Sequence, residues 1–335
     1  MNKITVIDGD TVMQLYRNLN SDLRLSPNMD IKAFKYNRFA VYKTHLDFLR
    51  AGARIIKTNT SRVTTSSIQE HLGIIGPEAT SFFATAVELA QKAVFKYYEE
   101  TGGDTSNVEE FKRNGPQVAG CCSGYATSNL QNKNEDYWNY VSSDCVKRWH
   151  RLRIQALINA GVDLLALDDV SCQMEAEVFM DLLRQFRTAR AWITFLCKSD
   201  TELLDGSDFV KVATRFYHSL PGQIIAIGFC CSDLDQGLLL LENIYAQTLN
   251  NPIPLLVDIA YFNDDSSLVV DTSEALEYYV QRWMSYGVSY ISGNYSVCAD
   301  DTKIISNIVK TLQHSGASSA TTRSSRSEEN KSKLS

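Results

Sequence analysis

The chain has 335 residues, 44% of them hydrophobic and 21% charged, with a net charge of −6 at neutral pH. That balance fits a globular protein long enough to bury a large core, and it gives no reason to expect a nucleic-acid or anionic-membrane partner. No apolar run approaches the roughly 18 residues that span a bilayer. The opening MNKITVIDGD enters a strand at once, with neither a signal-peptide core nor a transit helix, so the expected location is the cytosol. Eight cysteines in such a chain read as reduced thiols before disulfides.

Short β-branched runs alternate with long amphipathic stretches, the pattern of parallel βαβ units. Eight strands are predicted: Ile4–Ile7, Ala53–Thr58, Gln117–Cys121, Val162–Leu167, Ala191–Phe195, Ile224–Phe229, Pro254–Val257 and Val288–Ile291. The first helix is expected to place Ile31, Phe34, Val41, Phe48 and Leu49 on one face and to stop at Gly52. Thr101–Gly115 reads as a polar loop before strand three. Between strands three and four, Trp138, Val141, Cys145, Trp149, Leu152 and Ala156 form a narrower stripe ended by Gly161. The last helix uses Ile304, Ile305, Ile308 and Leu312.

Eight strand–helix units without an obvious break predict one closed (β/α)8 TIM barrel over residues 1–314. Residues 315–335 are rich in Ser, Thr and charge, too polar to bury, and read as a disordered tail. A doubly wound sheet is the other arrangement of such units. Against it, strand one runs into Asp8-Gly9-Asp10-Thr11 and not into a glycine-rich phosphate turn.

Barrel chemistry sits on the loops that follow the strands. Those positions hold Asp8, Asn59-Thr60, Cys121-Cys122, Asp168-Asp169, Cys197, Cys230-Cys231, Asp258 and Asn294-Tyr295. Carboxylates there can hold an amino group or serve as acid or base. Asp169 and Asp258 suit N-capping of the following helix equally well. Strand alternation sends one thiol of each cysteine pair inward and the other outward. The simplest role for those thiols is as small buried hydrophobes.

The segments VIDGDTVMQL, AGARIIKTNT, KRWHRLRIQALINAGVDLLALDDVSCQMEAE, LLDGSDF, AIGFCC and SYISGNYSVCADDTKI follow one another in a telling order. Together they resemble the homocysteine S-methyltransferase family over residues 3–312, including His150, Arg151 and Arg153 before strand four. The resemblance implies a (β/α)8 barrel that moves a methyl group to homocysteine, giving methionine. It also implies a zinc ion held by three cysteines, which binds the homocysteine sulfur as a thiolate and keeps one coordination place for it. Betaine-dependent members are expected to be longer at the carboxyl end, so length points to S-methylmethionine or S-adenosylmethionine as donor.

Carried over by motif, Asp8, Gly9, Asn59 and Asp168 become substrate-binding positions, Asp168 standing for the glutamate that grips the amino group. Cys231 matches the first zinc ligand. The Cys-Cys pair after strand eight is replaced by Asn294 and Tyr295, and neither side chain substitutes for a thiolate. The expectation is a family member with a degenerate zinc site, zinc absent or weakly held, inactive or strongly impaired. It would survive as a binding or regulatory barrel for a homocysteine- or methionine-like amino acid. The alternative is an active methyltransferase with a relocated site drawing on Cys121 or Cys122, Cys172, Cys197 and Cys298 beside Cys231. Asp10 stands where the family has a glycine, and no role follows from that change.

Overall fold

Side chains on a strand point alternately to its two faces, so a strand of a barrel must satisfy an interior and a helical layer at once. The computed structural model describes residues 3–26, 28–129, 138, 140–260 and 273–332. Its strands are β1 Thr5–Val6, β2 Ile55–Lys57, β3 Gln117–Ser123, β4 Leu164–Val170, β5 Ala191–Phe195, β6 Ile224–Cys231, β7 Leu255–Ile259 and β8 Val288–Gly293. They form one parallel sheet in the order β1-β8-β7-β6-β5-β4-β3-β2. The ring closes where Ile7 bridges Ile55, with Arg54 N donating to Val6 O at 2.8 Å and Asp8 N to Ile55 O at 3.0 Å. The chain is therefore a (β/α)8 barrel with all eight predicted strands in place, and not an open doubly wound sheet.

Ile7, Ile55, Ala119, Leu164, Ala166, Trp192, Ala226 and Leu256 cluster inside the ring. Their strand neighbours Val6, Leu165, Leu167, Ile193, Ile227 and Val257 pack outward against the helices. One pleat further along, the inward positions become polar. Lys57 follows Ile55 by two residues, Asp168 follows Ala166, Thr194 follows Trp192, and Asp258 follows Leu256. An apolar plug thus fills the barrel's lower half and a polar ring crowns it.

The helices depart from the sequence reading in instructive places. The single helix expected before β2 is instead α1 Thr11–Asn18, α2 Ser21–Arg24, α3 Met29–Tyr36 and α4 Arg38–Arg50. The break falls at Asn37, whose side chain accepts from Ala40 N at 3.1 Å and caps α4; a cap of this kind competes with continued apolar periodicity. Next come α5 Thr65–Leu72 and α6 Pro77–Glu100. The expected polar loop before β3 contains α7 Val108–Asn114, capped by Asn107. After α8 Tyr125–Ser128, helix α9 Ser143–Asn159 starts at its Ser142 cap. Its buried face is Val146, His150, Arg153, Ile154, Ala156 and Leu157, so Leu152 of the predicted stripe is exposed. Then follow α10 Gln173–Gln185, α11 Phe209–Ser219, α12 Leu234–Thr248 and α13 Ser273–Ser285. The last helix, α14, runs Ala299–Ser332 and so extends into the stretch read as a tail. It buries Ile305, Ile308, Val309 and Leu312, while Ile304 is exposed. No helix among the described residues is long and apolar enough to cross a membrane.

Candidate functional site at the barrel mouth

The polar ring opens into a cavity of about 880 Å³, lined at its base by Gly9, Lys57, Cys121, Asp168, Asp169, Asn294 and Tyr295. That volume suits a small molecule. Arg62, Glu70 and His71 stand among its outer lining. Arg62 follows β2, while Glu70 and His71 lie on α5.

Lys57 is the feature that the motif comparison missed. Its Nζ donates to Ser292 Oγ and Gly293 O, each at 3.0 Å, and lies 3.8 Å from Asp8 Oδ1. Its backbone N–H also donates to Asp8 Oδ2 at 2.7 Å. Burial pulls the ammonium's pKa down, but Asp258, Asp168 and Asp8 outweigh it and hold the value above that of an ordinary lysine. Burial pushes Asp8 up to about 7 against the pull of Lys57. Asp8, an expected substrate contact, is fully buried and tied to Lys57, and it is Lys57 that meets the cavity. The period-two rule applied to Ile55 is the signal that would have found Lys57.

Asp168 and Asp169 are consecutive, yet both reach the cavity. The register of β4 against β5 shifts between Leu167 and Val170, and Asp169 has a φ of 60°. Such a bulge breaks alternation and re-aims a side chain. Asp168 Oδ1 accepts from Trp192 Nε1 at 2.9 Å and Thr194 Oγ1 at 3.3 Å, and Cys121 Sγ donates to Oδ2 at 3.5 Å. Asp169 Oδ1 accepts from Asn294 Nδ2 at 3.1 Å and Oδ2 from the Tyr295 hydroxyl at 3.3 Å. The same Asn294 amide donates to Asp258 Oδ2 at 3.0 Å. Burial raises Asp169 to about 7, with Asp168 and Asp258 adding to it. Burial also raises Asp258, to about 6, against the pull of Lys57. Neither is a helix cap: α10 is capped by Cys172, and Asp258 lies within β7.

Of the remaining candidates, Gly9 lines the cavity and has no room for a side chain, since a Cβ there would stand 2.1 Å from Val297 O. Asn59 is buried and accepts from Thr11 Oγ1 at 3.3 Å, beneath the cavity wall. Asp10 caps α1 through Val12 N and Met13 N and accepts from Ser296 N at 3.0 Å, pinning the loop after β8. His150 and Arg153 brace the mouth from behind. His150 Nε2 pairs with Glu175 Oε1 at 2.6 Å, and Arg153 donates to Ser123 O, Thr60 O and Ser61 O. Arg151 is exposed.

The cysteine pairs split as alternation requires. Cys121 faces the interior and Cys122 the helical layer. Cys231 also turns outward: its thiol donates to Asp233 O at 2.9 Å and fills the space beside Gly237 of α12. Cys230 is the one that turns inward, where its Sγ and carboxylate oxygens of Asp169 and Asp258 lie within 4.8 Å of one another. Among the described residues this is the sole cluster of three such donors, so Cys121, Cys122, Cys172, Cys197, Cys298 and Cys231 are not gathered into a thiolate site. A three-thiolate zinc centre does not fit these side chains, because Asn294 and Tyr295 bring no thiol and Cys231 points away.

A (β/α)8 barrel with buried carboxylates, an ammonium and a small-molecule cavity at the ends of its strands is built as barrel enzymes are built. The family model for homocysteine S-methyltransferase matches residues 5–309. The chain belongs to the homocysteine S-methyltransferase family. It is 28% identical over 324 residues to a betaine-homocysteine S-methyltransferase of Drosophila melanogaster, covering 92% of this chain and 95% of that protein. It is 27% identical over 305 residues to homocysteine S-methyltransferase 2 of Arabidopsis thaliana, covering 86% and 87%. Among solved structures, the metallated form of the homocysteine methyltransferase MmuM from Escherichia coli superposes with a TM-score of 0.74 at 25% identity, covering 91% of this chain and 96% of that one.

Proposed function

We propose that this barrel keeps its family's small-molecule mouth, binds a homocysteine- or methionine-like amino acid there, and does not carry out methyl transfer through a three-cysteine zinc centre. The observation that carries this reading is the loop after β8. Where the resemblance places two zinc cysteines, the Asn294 amide holds Asp169 and Asp258 together and Tyr295 hydrogen-bonds Asp169. The outward thiol of Cys231 supports it further. Asp168 and Asp169 offer carboxylates to a ligand ammonium from the cavity wall, in keeping with the excess of buried acid over the one ammonium of Lys57.

Purified, reduced protein supplied with homocysteine and S-methylmethionine, S-adenosylmethionine or betaine is expected to form no methionine. Homocysteine or methionine is expected to raise the melting temperature, by about 2.7 kcal/mol of stabilisation at 100 times the dissociation constant. Methionine formation that disappears in Cys231→Ser overturns the catalytic half of the reading. A melting temperature unmoved by either amino acid overturns the binding half.

A further inference from the structure

Asp258 is 1% exposed, and its Oδ1 is buried with no hydrogen-bond partner among the described residues. A carboxylate oxygen left this way is costly unless something positive meets it. Lys57 lends Asp258 positive charge through space, but its hydrogen bonds go to Ser292 Oγ and Gly293 O, so Asp258 Oδ1 still lacks a donor among the described residues. Four carboxylates, those of Asp8, Asp168, Asp169 and Asp258, are buried at this mouth around that single lysine. The Cys230 thiol stands beside two of them.

We propose that Asp169, Cys230 and Asp258 form a divalent metal site for a borderline ion such as zinc or cobalt(II), with a ligand set different from three thiolates. Oxygen and sulfur ligands bind zinc at about 2.0–2.3 Å, so neighbours on a tetrahedral ion stand roughly 3.3–3.8 Å apart. Three donors already within 4.8 Å need a closure on the order of 1 Å, which side-chain rotation supplies. One sulfur among oxygens favours zinc or cobalt over magnesium and calcium, which take oxygen ligands alone. The outer shell is in place. Asn294 Nδ2 donates to Asp169 Oδ1 and to Asp258 Oδ2, and so faces the two carboxylates toward one another. Outer partners of this kind orient ligating carboxylates. With three protein ligands, one coordination position stays open to the cavity.

The test titrates reduced, chelator-stripped full-length protein with cobalt(II) alone, followed by zinc(II) in competition. Wild type is expected to bind one cobalt with a thiolate-to-metal absorption band that zinc displaces. Cys230→Ser is expected to lose the band and to weaken binding about tenfold or more, and Asp258→Asn to weaken it similarly while keeping the band. Cys231→Ser is expected to leave band and affinity unchanged. Circular dichroism of each metal-free variant shows whether it is folded, and the wild-type titration stands without any variant. Failure of wild type to retain cobalt or zinc overturns the site, as does loss of the band in Cys231→Ser with retention in Cys230→Ser. Methionine formation by metal-loaded wild type that depends on Cys230 overturns the proposed lack of turnover and leaves the site standing. No ion and no turnover does the reverse.

Discussion

Lys57 enters the barrel interior as a charge surrounded by acids, and its energetics follow from which partner is removed. Truncating one member of a buried ion pair leaves the other charge uncompensated, at a cost of about 3–5 kcal/mol. Lys57→Met removes the ammonium near Asp8, Asp168 and Asp258 and is expected to destabilise by about that amount. Adding Asp8→Asn to Lys57→Met is expected to restore part of the loss, since one orphaned carboxylate disappears with it. Urea midpoints at constant slope give the comparison. A double variant whose loss equals the sum of the single losses, within about 0.5 kcal/mol, contradicts the coupling. The AGARIIKTNT motif does not single out this lysine; alternation from Ile55 carries the information. The same contrast separates Cys230 from Cys231. A motif match names Cys231, whereas the pleat of β6 turns Cys230 to the mouth and Cys231 to α12.

At the level of elements, the strands were legible because each is a β-branched or apolar run short enough to be nothing else, and the helices less so. Apolar periodicity runs from Ile31 to Leu49 across a gap that only Asn37 reveals, by capping α4. The bulge at Asp168–Asp169 was not legible, because aspartate, although commoner than most residues at positive φ, usually adopts negative φ and so does not mark the turn that Asp169 makes. It is what gives the mouth two carboxylates from one strand end. For α14, burial supplies a prediction. Among the described residues, the apolar side chains that dock it are Ile305, Ile308, Val309 and Leu312, and the sequence beyond residue 315 is dominated by Ser, Thr and charge. A chain ending at His314 is expected to keep the melting temperature of the full chain within about 1–2 °C, as surface changes within ±0.5 kcal/mol would. A fall of several degrees in calorimetry assigns residues 315–335 a packing role and sinks the division into barrel and tail.

For the molecule as a whole, family membership and barrel closure were both readable from the order of the motifs, while the balance of buried charge was not, since it depends on which side chains the closed ring encloses. That balance governs the response to pH. His45 of α4 is fully buried, and neither ring nitrogen has a hydrogen-bond partner among the described residues. Burial pushes its pKa down to about 4, against about 6.5 in an unfolded chain. The unfolded state therefore binds the proton first as pH falls. The neutral His45 contribution is complete above about 6.5 and is lost as pH drops toward 4, by about 3 kcal/mol in all. Asp8 acts with the opposite sign. Its pKa is raised to about 7, so its contribution is greatest below the unfolded carboxylate pKa and fades as pH rises through 7. The two effects overlap in any single stability profile, which makes the difference between wild type and His45→Leu the informative curve. Asp8 cancels in that difference, and the packing change at position 45 shifts it by an amount independent of pH. His45→Leu is expected to gain on wild type by about 3 kcal/mol between pH 7.5 and pH 4, with the slope confined to that window. Urea midpoints at half-unit pH steps give the curve, and a difference that stays flat across the window means that His45 meets water or a proton acceptor in the folded protein.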